Sequence, residues 1–348
     1  MIMPPVKRVF RFDVWYHPVM AQTFADTPGF ELHTIARDAP HQHILQALRS
    51  SHAYQIPSAR DELPHRWRAD AELLDQLPQL LCVSTNGAGY DTVNVEHCTR
   101  AGVLVLNQTG ANAQSVAEAT LGLMLDCLRR ISESDRCLRR SRGFAREDLM
   151  GSELYDKVLG LVGIGQIGGR VAKIAKAFGM HVIAYDPGLE PVAISAKGAE
   201  PVELAELLAT SDVVSLHCPR LAETLNLMNA SKFAQMRQGA IFINTARGGL
   251  HDEQALYDAL KGRHLGGAGI DVWDEEPPPL DHPLLTLENV VGLYHTAGVT
   301  REARQRMGLW ASQQIIDVLS GREGLRMVNP EVFPRFLERL EAADHSTQ

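Results

Sequence analysis

The sequence is poor in cysteine, with five among 348 residues. Cys82, Cys98, Cys127, Cys137 and Cys218 are odd in number and form no CxxC pair. That excludes a disulfide frame or zinc site and reads as buried thiols in a reducing compartment. A positive excess is also lacking: 34 Lys and Arg against 42 Asp and Glu leave a net charge of −8. A chain of that sign has no global attraction for nucleic acid or an anionic membrane surface. No apolar run approaches the roughly 18–20 residues of a membrane helix. The first residues, MIMPPVKRVF, lack the apolar stretch of a signal peptide. There is no internal repeat or low-complexity segment, and Pro277-Pro278-Pro279 is too short for a linker. What remains is ordinary globular composition, 45% apolar and 22% charged. At roughly 150 residues per domain the length predicts about two domains with a large core. The sequence predicts a soluble, cytoplasmic protein with no nucleic-acid, membrane or metal partner.

From about 157 to 296, short Val- and Ile-rich runs recur at Val158–Val162, His181–Tyr185, Asp212–Leu216, Ala240–Asn244, Gly269–Val272 and Val290–Leu293. Nearly unbroken apolar runs suit strands buried on both faces. Helical patterns lie between them at Ile167–Phe178, Val202–Ala209 and Asp252–Lys261, the last with Asp252 as N-cap. The alternation predicts a doubly wound parallel sheet. The first hundred residues repeat the style, with strands at Val6–Phe12, His52–Ile56, Leu80–Ser84 and Val103–Leu106 and helices at Asp70–Gln76 and Val93–Arg100. They read as a smaller α/β domain. Ala113–Arg140 reads as one helix of about 28 residues, long enough to bridge two domains. A last helix is expected at about Arg301–Leu319.

Gly163-Ile164-Gly165-Gln166-Ile167-Gly168 fits GxGxxG. The pattern alone is weak, but here it follows a strand directly and opens a helix. Gly163 permits the tight turn, Gly165 lets the backbone approach a pyrophosphate, and Gly168 lets helix and strand pack closely. The helix N-terminus offers N–H groups and a partial positive charge to phosphates. Asp186, 18 residues after Gly168, closes the next strand. A carboxylate there accepts the adenosine-ribose hydroxyls and repels a 2′-phosphate, which favours NAD over NADP. The competing interpretation is a glycine turn without a ligand.

Ligands of open α/β sheets bind outside the carboxyl ends of the strands. Three ionisable side chains fall at successive ends: Arg247 after Ala240–Asn244, Glu276 after Gly269–Val272, and His295 after Val290–Tyr294. A guanidinium grips a carboxylate or carbonyl in a planar fork. An imidazole takes a hydroxyl proton as hydride leaves, or returns it. A carboxylate beside the imidazole raises its pKa and fixes its tautomer. Taken singly, Arg247 also suits a solvated turn, Glu276 an acidic surface loop and His295 a core position. Their coincidence downstream of the glycine loop points to oxidation of an alcohol beside a carboxylate.

With these residues the sequence resembles the D-2-hydroxyacid dehydrogenase family nearly end to end. The resemblance runs through Asn86-Gly87-Ala88-Gly89-Tyr90-Asp91, Asn107 with Ser115-Val116-Ala117-Glu118, Gly163–Gly168, His217-Cys218-Pro219, Asn244–Gly248, Asp271 with Glu276-Pro277, and His295-Thr296-Ala297-Gly298. It implies a Rossmann NAD-binding domain, 111–298, inserted into a smaller flavodoxin-like α/β substrate domain made of 1–110 and 299–348. It implies an oxidoreductase that moves a hydride between NAD(H) and a small D-2-hydroxy acid or 2-oxo acid. His295 would be the acid/base, Glu276 its partner, and Arg247 the residue that binds and polarises the 2-oxo acid. NAD contacts would fall on Gly163, Gly165, Gln166, Ile167, Gly168, Asp186, Cys218, Pro219, Thr224, Thr245, Ala246, Arg247, Asp271, His295 and Gly298. Substrate would meet Arg247, His295 and the backbone amides of Asn86, Gly87, Ala88 and Gly89, a small anion nest. The resemblance further implies a homodimer through the 113–140 helix region and a cleft that closes to exclude water.

Some positions depart from the family pattern. Glu276 in place of glutamine argues against the formate dehydrogenase branch. Arg220-Leu221 stands where the family commonly has Leu-Thr. Only Arg60 is basic near Pro57-Ser58, where members acting on phosphoglycerate carry a basic residue. That turns the expected substrate toward glyoxylate, hydroxypyruvate or a similar short acid. The chain runs little beyond Asn329-Pro330, so no C-terminal regulatory domain is expected. Two alternatives stand beside this reading. One is a phosphoglycerate or phosphite dehydrogenase on the same fold. The other is a non-catalytic NADH-sensing interaction protein, like the co-repressors that share it.

Overall fold

The computed structural model describes residues 6–345 apart from Trp15 and Phe144. The chain divides into two units: residues up to Asn112 together with those from Val299 onward, and Ala113–Gly298.

The first unit is built on five strands: β1 (Lys7–Phe12), β2 (Phe30–Ile35), β3 (Ala53–Ile56), β4 (Cys82–Thr85) and β5 (Leu104–Leu106). All pair in parallel in the order β2-β1-β3-β4-β5. The side chains alternate between two buried faces, as strand periodicity requires. Phe10, Phe12, Tyr54, Ile56, Val83 and Val105 enter one core, where Ile44, Leu45 and Leu48 of helix His41–Arg49 meet them. Val9, Ala53, Cys82 and Leu104 enter the other, under Ile315, Ile316 and Leu319 of helix Arg301–Leu319. That helix is not the last: Phe333–His345 follows it and adds Phe336 and Leu340 to the same core.

The second unit has seven strands: β6 (Val158–Val162), β7 (His181–Tyr185), β8 (Glu200–Pro201), β9 (Val213–Leu216), β10 (Ile241–Asn244), β11 (Gly267–Ile270) and β12 (Val290–Gly292). They too are all parallel, in the order β12-β11-β10-β9-β6-β7-β8. Leu159, Leu161, Val213, Ile241 and Ile243 face one core, while Val162, Val214, Leu216, Phe242 and Ile270 face the other. The order reverses between β6 and β9, which is where a doubly wound sheet opens a crevice at its carboxyl edge.

The expected single helix over 113–140 is two helices, Ala113–Arg129 and Ile131–Arg140. The break is at Arg130, whose φ is +53°. Asp126 draws the next turn aside by accepting the Ser132 N–H at 2.7 Å, and the Arg130 guanidinium turns to Glu133 at 2.6 and 2.7 Å. The first helix buries Ala117, Leu121, Leu123 and Met124 in the core of the second unit. It is part of that unit's packing. The second helix buries no residue and exposes Ile131 and Leu138.

All five cysteines are free; Cys82 and Cys98 are buried, but Cys127, Cys137 and Cys218 are only half-buried. Burial pushes the thiols of Cys82 and Cys98 up to about 12, so both stay protonated and inert. Among the described residues no helix is long and apolar enough to cross a membrane. Nor does any group of three or more His, Cys, Asp or Glu side chains there form a metal site.

Candidate active site

Each glycine of the 163–168 loop answers a different steric demand. Gly163 has φ +92°, and a Cβ there would lie 2.8 Å from the Cys218 nitrogen. A Cβ on Gly168 would lie 2.4 Å from the Gly163 carbonyl oxygen, so helix Gln166–Ala177 approaches its own loop as closely as backbone allows. A Cβ on Gly165 would meet nothing within 4 Å. Gly165 therefore has no packing reason to be glycine, and the space beside it is a cradle open at a helix N-terminus. That is the fit a pyrophosphate requires. Asp186, just past β7, fixes this loop: its carboxylate accepts the Ile164 N–H at 2.9 Å and the Gly188 N–H at 3.1 Å.

The other candidates follow along the same carboxyl edge. Cys218 and Pro219 lie beyond β9, and the Cys218 backbone approaches Gly163. Thr224 turns inward on its own loop, donating its hydroxyl to the Pro219 carbonyl and accepting the Leu221 N–H, both at 2.7 Å. Beyond β10, buried Asn244 folds the Thr245-Ala246-Arg247 turn. Its Oδ1 accepts the Ala246 N–H at 3.0 Å and its Nδ2 donates to the Arg247 carbonyl at 2.9 Å. Thr245 Oγ1 lies 2.9 Å from Thr120 Oγ1.

Beyond β12, His295 has φ +54°, a left-handed conformation that a non-glycine residue keeps only when its surroundings hold it. Asp271, beyond β11, does so. Its carbonyl accepts the His295 N–H at 2.7 Å, and its buried carboxylate accepts the N–H groups of Thr296 at 2.7 Å and Ala297 at 3.1 Å. Burial pushes the Asp271 carboxyl up to about 6, against the pull of His295 and those two amides. Gly298 closes this turn at the end of the unit.

His295 Nδ1 lies 2.8 Å from Glu276 Oε2. Glu276 Oε1 accepts the Trp273 N–H at 3.1 Å. Burial alone lowers a histidine pKa, and here the hydrogen bond and charge of Glu276 outweigh it, so His295 is raised above its ordinary value. Burial alone raises a carboxyl, and the hydrogen bond and charge of His295, helped by Trp273 and Arg247, hold Glu276 below its ordinary value. The Arg247 charge thus acts on both members of the pair. With Nδ1 committed, Nε2 is the nitrogen offered to a reactant, and the ring is 34% exposed.

Sequence reasoning missed what locks the two loops together. A Cβ on Gly248 would lie 1.9 Å from the Trp273 carbonyl oxygen, so only glycine fits beside Arg247. Asp274 accepts the Gly249 N–H at 2.6 Å, and its own N–H donates to Glu253 Oε1 at 2.9 Å. The signal was there in the Gly248-Gly249 pair beside an acidic run.

The Asn86–Gly89 loop belongs to the first unit and follows β4. The Asn86 N–H donates to the Ile56 carbonyl at 3.0 Å, so this amide is already engaged and is not available to the expected anion nest. The loop is braced by the Thr85 hydroxyl and Gln108 N–H on the Gly87 carbonyl, at 3.0 and 2.8 Å.

This constellation agrees with what the chain is similar to. Residues 121–297 match the profile of the D-isomer specific 2-hydroxyacid dehydrogenase NAD-binding domain. The chain is 38% identical to a D-3-phosphoglycerate dehydrogenase of Archaeoglobus fulgidus over 78% of its own length and 51% of that protein's. It is 37% identical to a glyoxylate reductase of Korarchaeum cryptofilum over 76% of its own length and 80% of that protein's. Among solved structures, a glyoxylate reductase from Paecilomyes thermophila aligns with TM-score 0.82 at 26% identity, covering 94% of this chain and 99% of that one. The chain spans about half the length of the D-3-phosphoglycerate dehydrogenases it matches. It carries a nicotinamide-cofactor domain and belongs to the D-isomer specific 2-hydroxyacid dehydrogenase family.

Proposed function

We propose that the protein is an NAD-dependent oxidoreductase for small D-2-hydroxy acids and 2-oxo acids. The observation that carries this reading is the His295–Glu276 pair at 2.8 Å, with Arg247 acting on both, along the carboxyl edge that begins at the glycine loop. A bound nicotinamide cofactor supplies the hydride for reduction and accepts it in oxidation. Gly165 and the amides of helix Gln166–Ala177 receive its pyrophosphate, and Asp186 its adenosine ribose. Arg247 holds the substrate carboxylate or carbonyl in its planar fork. His295 Nε2 gives its proton to the C2 oxygen in reduction and takes it back in oxidation. Glu276 stabilises the imidazolium and fixes the tautomer. The amides of Gly87, Ala88 and Gly89 receive the substrate carboxylate.

The test is a panel of 2-oxo acids with NADH, run on the wild type and on His295→Ala. Turnover of at least one short acid, lost in the variant, is expected. No turnover on any of them, or an unaffected variant, contradicts the reading and favours a nucleotide-sensing interaction protein. Phosphoglycerate is the weaker substrate choice, because Arg60 turns its Nε to the Asp91 carbonyl at 3.1 Å. NADH is the expected cofactor. Equal or better kcat/KM with NADPH would show that Asp186 does not hold the ribose. The exposed Ile131 and Leu138 on a helix with no buried residue support a homodimer through the 113–140 region. Light scattering at two concentrations tests it, and a monomer at both would refute it. The cytoplasm is the proposed compartment, resting on the reduced cysteines.

A further inference from the structure

The first unit carries a small pocket of its own, in which Tyr16, Gln55 and Arg304 meet the apolar side chains of Met20 and Met307. Eight buried side-chain N or O atoms among the described residues lack a hydrogen-bond partner, and four of them line this one pocket: Tyr16 Oη, Gln55 Nε2, Gln55 Oε1 and Arg304 Nε. Gln55 is fully buried and both ends of its amide are unmatched. Burying an amide without partners costs roughly 1–3 kcal/mol or more in a protein. A buried strand reading Ala-Tyr-Gln-Ile has no packing reason to hold glutamine there. The space is about 10 Å³, room for roughly one water-sized atom.

The location matters as much as the chemistry. The sheet order β2-β1-β3-β4-β5 reverses between β1 and β3. A sheet of that order binds its ligand at the carboxyl edge of that switch point. Tyr16 follows β1, Gln55 lies in β3, and Asn86 immediately follows β4. The pocket therefore borders the Asn86–Gly89 loop. Burial, opposed by the charges of Arg11 and Arg304, holds the Tyr16 phenol above its ordinary pKa, so it remains a neutral donor.

We propose that this pocket is a specificity subsite that takes one oxygen atom of a hydroxyl or carboxylate group attached to C3 of the substrate, with Gln55 as the discriminating residue. The proposal rests on the reading that Gly87, Ala88 and Gly89 receive the substrate carboxylate. A C3 hydroxyl accepts from Tyr16, Gln55 Nε2 or Arg304 and donates to Gln55 Oε1; an oxygen of a carboxylate attached to C3 accepts only. A methyl group of similar size satisfies none of the four atoms. Sites built to hydrogen-bond a substrate oxygen reject the analogue lacking it far more strongly than apolar pockets reject a missing methylene.

The experiment compares hydroxypyruvate, oxaloacetate and 2-oxobutyrate as acceptors with NADH. Hydroxypyruvate and 2-oxobutyrate differ only by hydroxyl against methyl. The wild type should prefer an oxygen-bearing acid over 2-oxobutyrate by at least about 100-fold in kcat/KM. The better of the two oxygen-bearing acids names hydroxyl or carboxylate. Gln55→Leu should bring that ratio below about tenfold by lowering the favoured acid while 2-oxobutyrate holds or improves. Tyr16→Phe, which keeps the ring, should narrow it by a smaller factor. Comparable kcat/KM for all three acids in the wild type overturns the subsite and leaves the functional reading intact. So does an equal loss on all three in Gln55→Leu with unchanged Tm. No turnover of any acid overturns both.

Discussion

Both units are parallel sheets with polar side chains at a carboxyl edge, yet the two edges treat those side chains in opposite ways. In the second unit the groups at the edge are tied to one another. His295 has Glu276, Asp271 has two amides, and Asp186 has two more. In the first unit Tyr16, Gln55 and Arg304 converge on a pocket with polar atoms unmatched. The difference teaches what each kind of edge can do. A group that moves protons needs a fixed tautomer and a tuned pKa, and only a protein partner supplies these. A group that selects a ligand must keep its hydrogen-bonding capacity for the ligand. The histidines of the second unit make the first half of the point. Burial pushes His217 down to about 3 and His251 down to about 4, whereas His295, beside Glu276, is raised. Of these three, only His295 is shifted toward keeping a proton.

The comparison can be broken first at His295. His295→Ala should lower kcat/KM for 2-oxo acid reduction by roughly 10²–10⁴-fold, the usual worth of a positioned acid–base group. Steady-state kinetics showing no such loss would move the chemistry off the second edge. Next comes the glycine loop, where two positions separate ligand space from packing. Gly165→Val should raise the NADH Kd at least about tenfold, about 1.4 kcal/mol, with little change in Tm, because its Cβ meets no protein atom. Gly163→Ala should lower stability by roughly 1–3 kcal/mol, read as Tm, because φ is +92° and the Cβ meets backbone at 2.8 Å. If both variants behave alike, the open space at Gly165 is not a binding site. The smallest effect sharpens the contrast by touching neither edge. Asp252→Ala removes the cap on Ala255 N–H at 2.9 Å. It should cost about 1 kcal/mol of stability and leave the ratio of hydroxypyruvate to 2-oxobutyrate unchanged.

The legible parts of the fold were those with strong local periodicity. The strands from Val158–Val162 to the one starting at Val290 lie within a few residues of the observed β6, β7 and β9–β12, because central parallel strands are continuous apolar runs. Two of the four edge strands, β2 and β8, escaped, whereas the apolar edge strands β5 and β12 did not. In β2 Phe-Glu-Leu-His-Thr-Ile is only half-buried or exposed, and β8 is two residues long. The break at Arg130 depends on Asp126 reaching Ser132, a contact six residues apart that helical periodicity cannot show. At the second edge Arg247, Glu276 and His295 were legible as candidates because each follows a recognisable strand. The first-unit pocket was not. Tyr16, Gln55 and Arg304 come from three distant segments, and only the unexpected glutamine inside β3 marked it.

If Glu276 makes His295 the proton donor, the pH dependence of NADH-driven reduction will show it. Reduction needs protonated His295, so the rate should be full at low pH and fall as pH rises through a pKa above the ordinary histidine value. Oxidation should show the mirror limb. In Glu276→Gln the hydrogen bond survives but the charge is gone. The falling limb should then move to lower pH. At pH values above both limbs, a limb lying one pH unit lower means about a tenfold slower reduction. A falling limb at the same pH in both proteins would contradict the account.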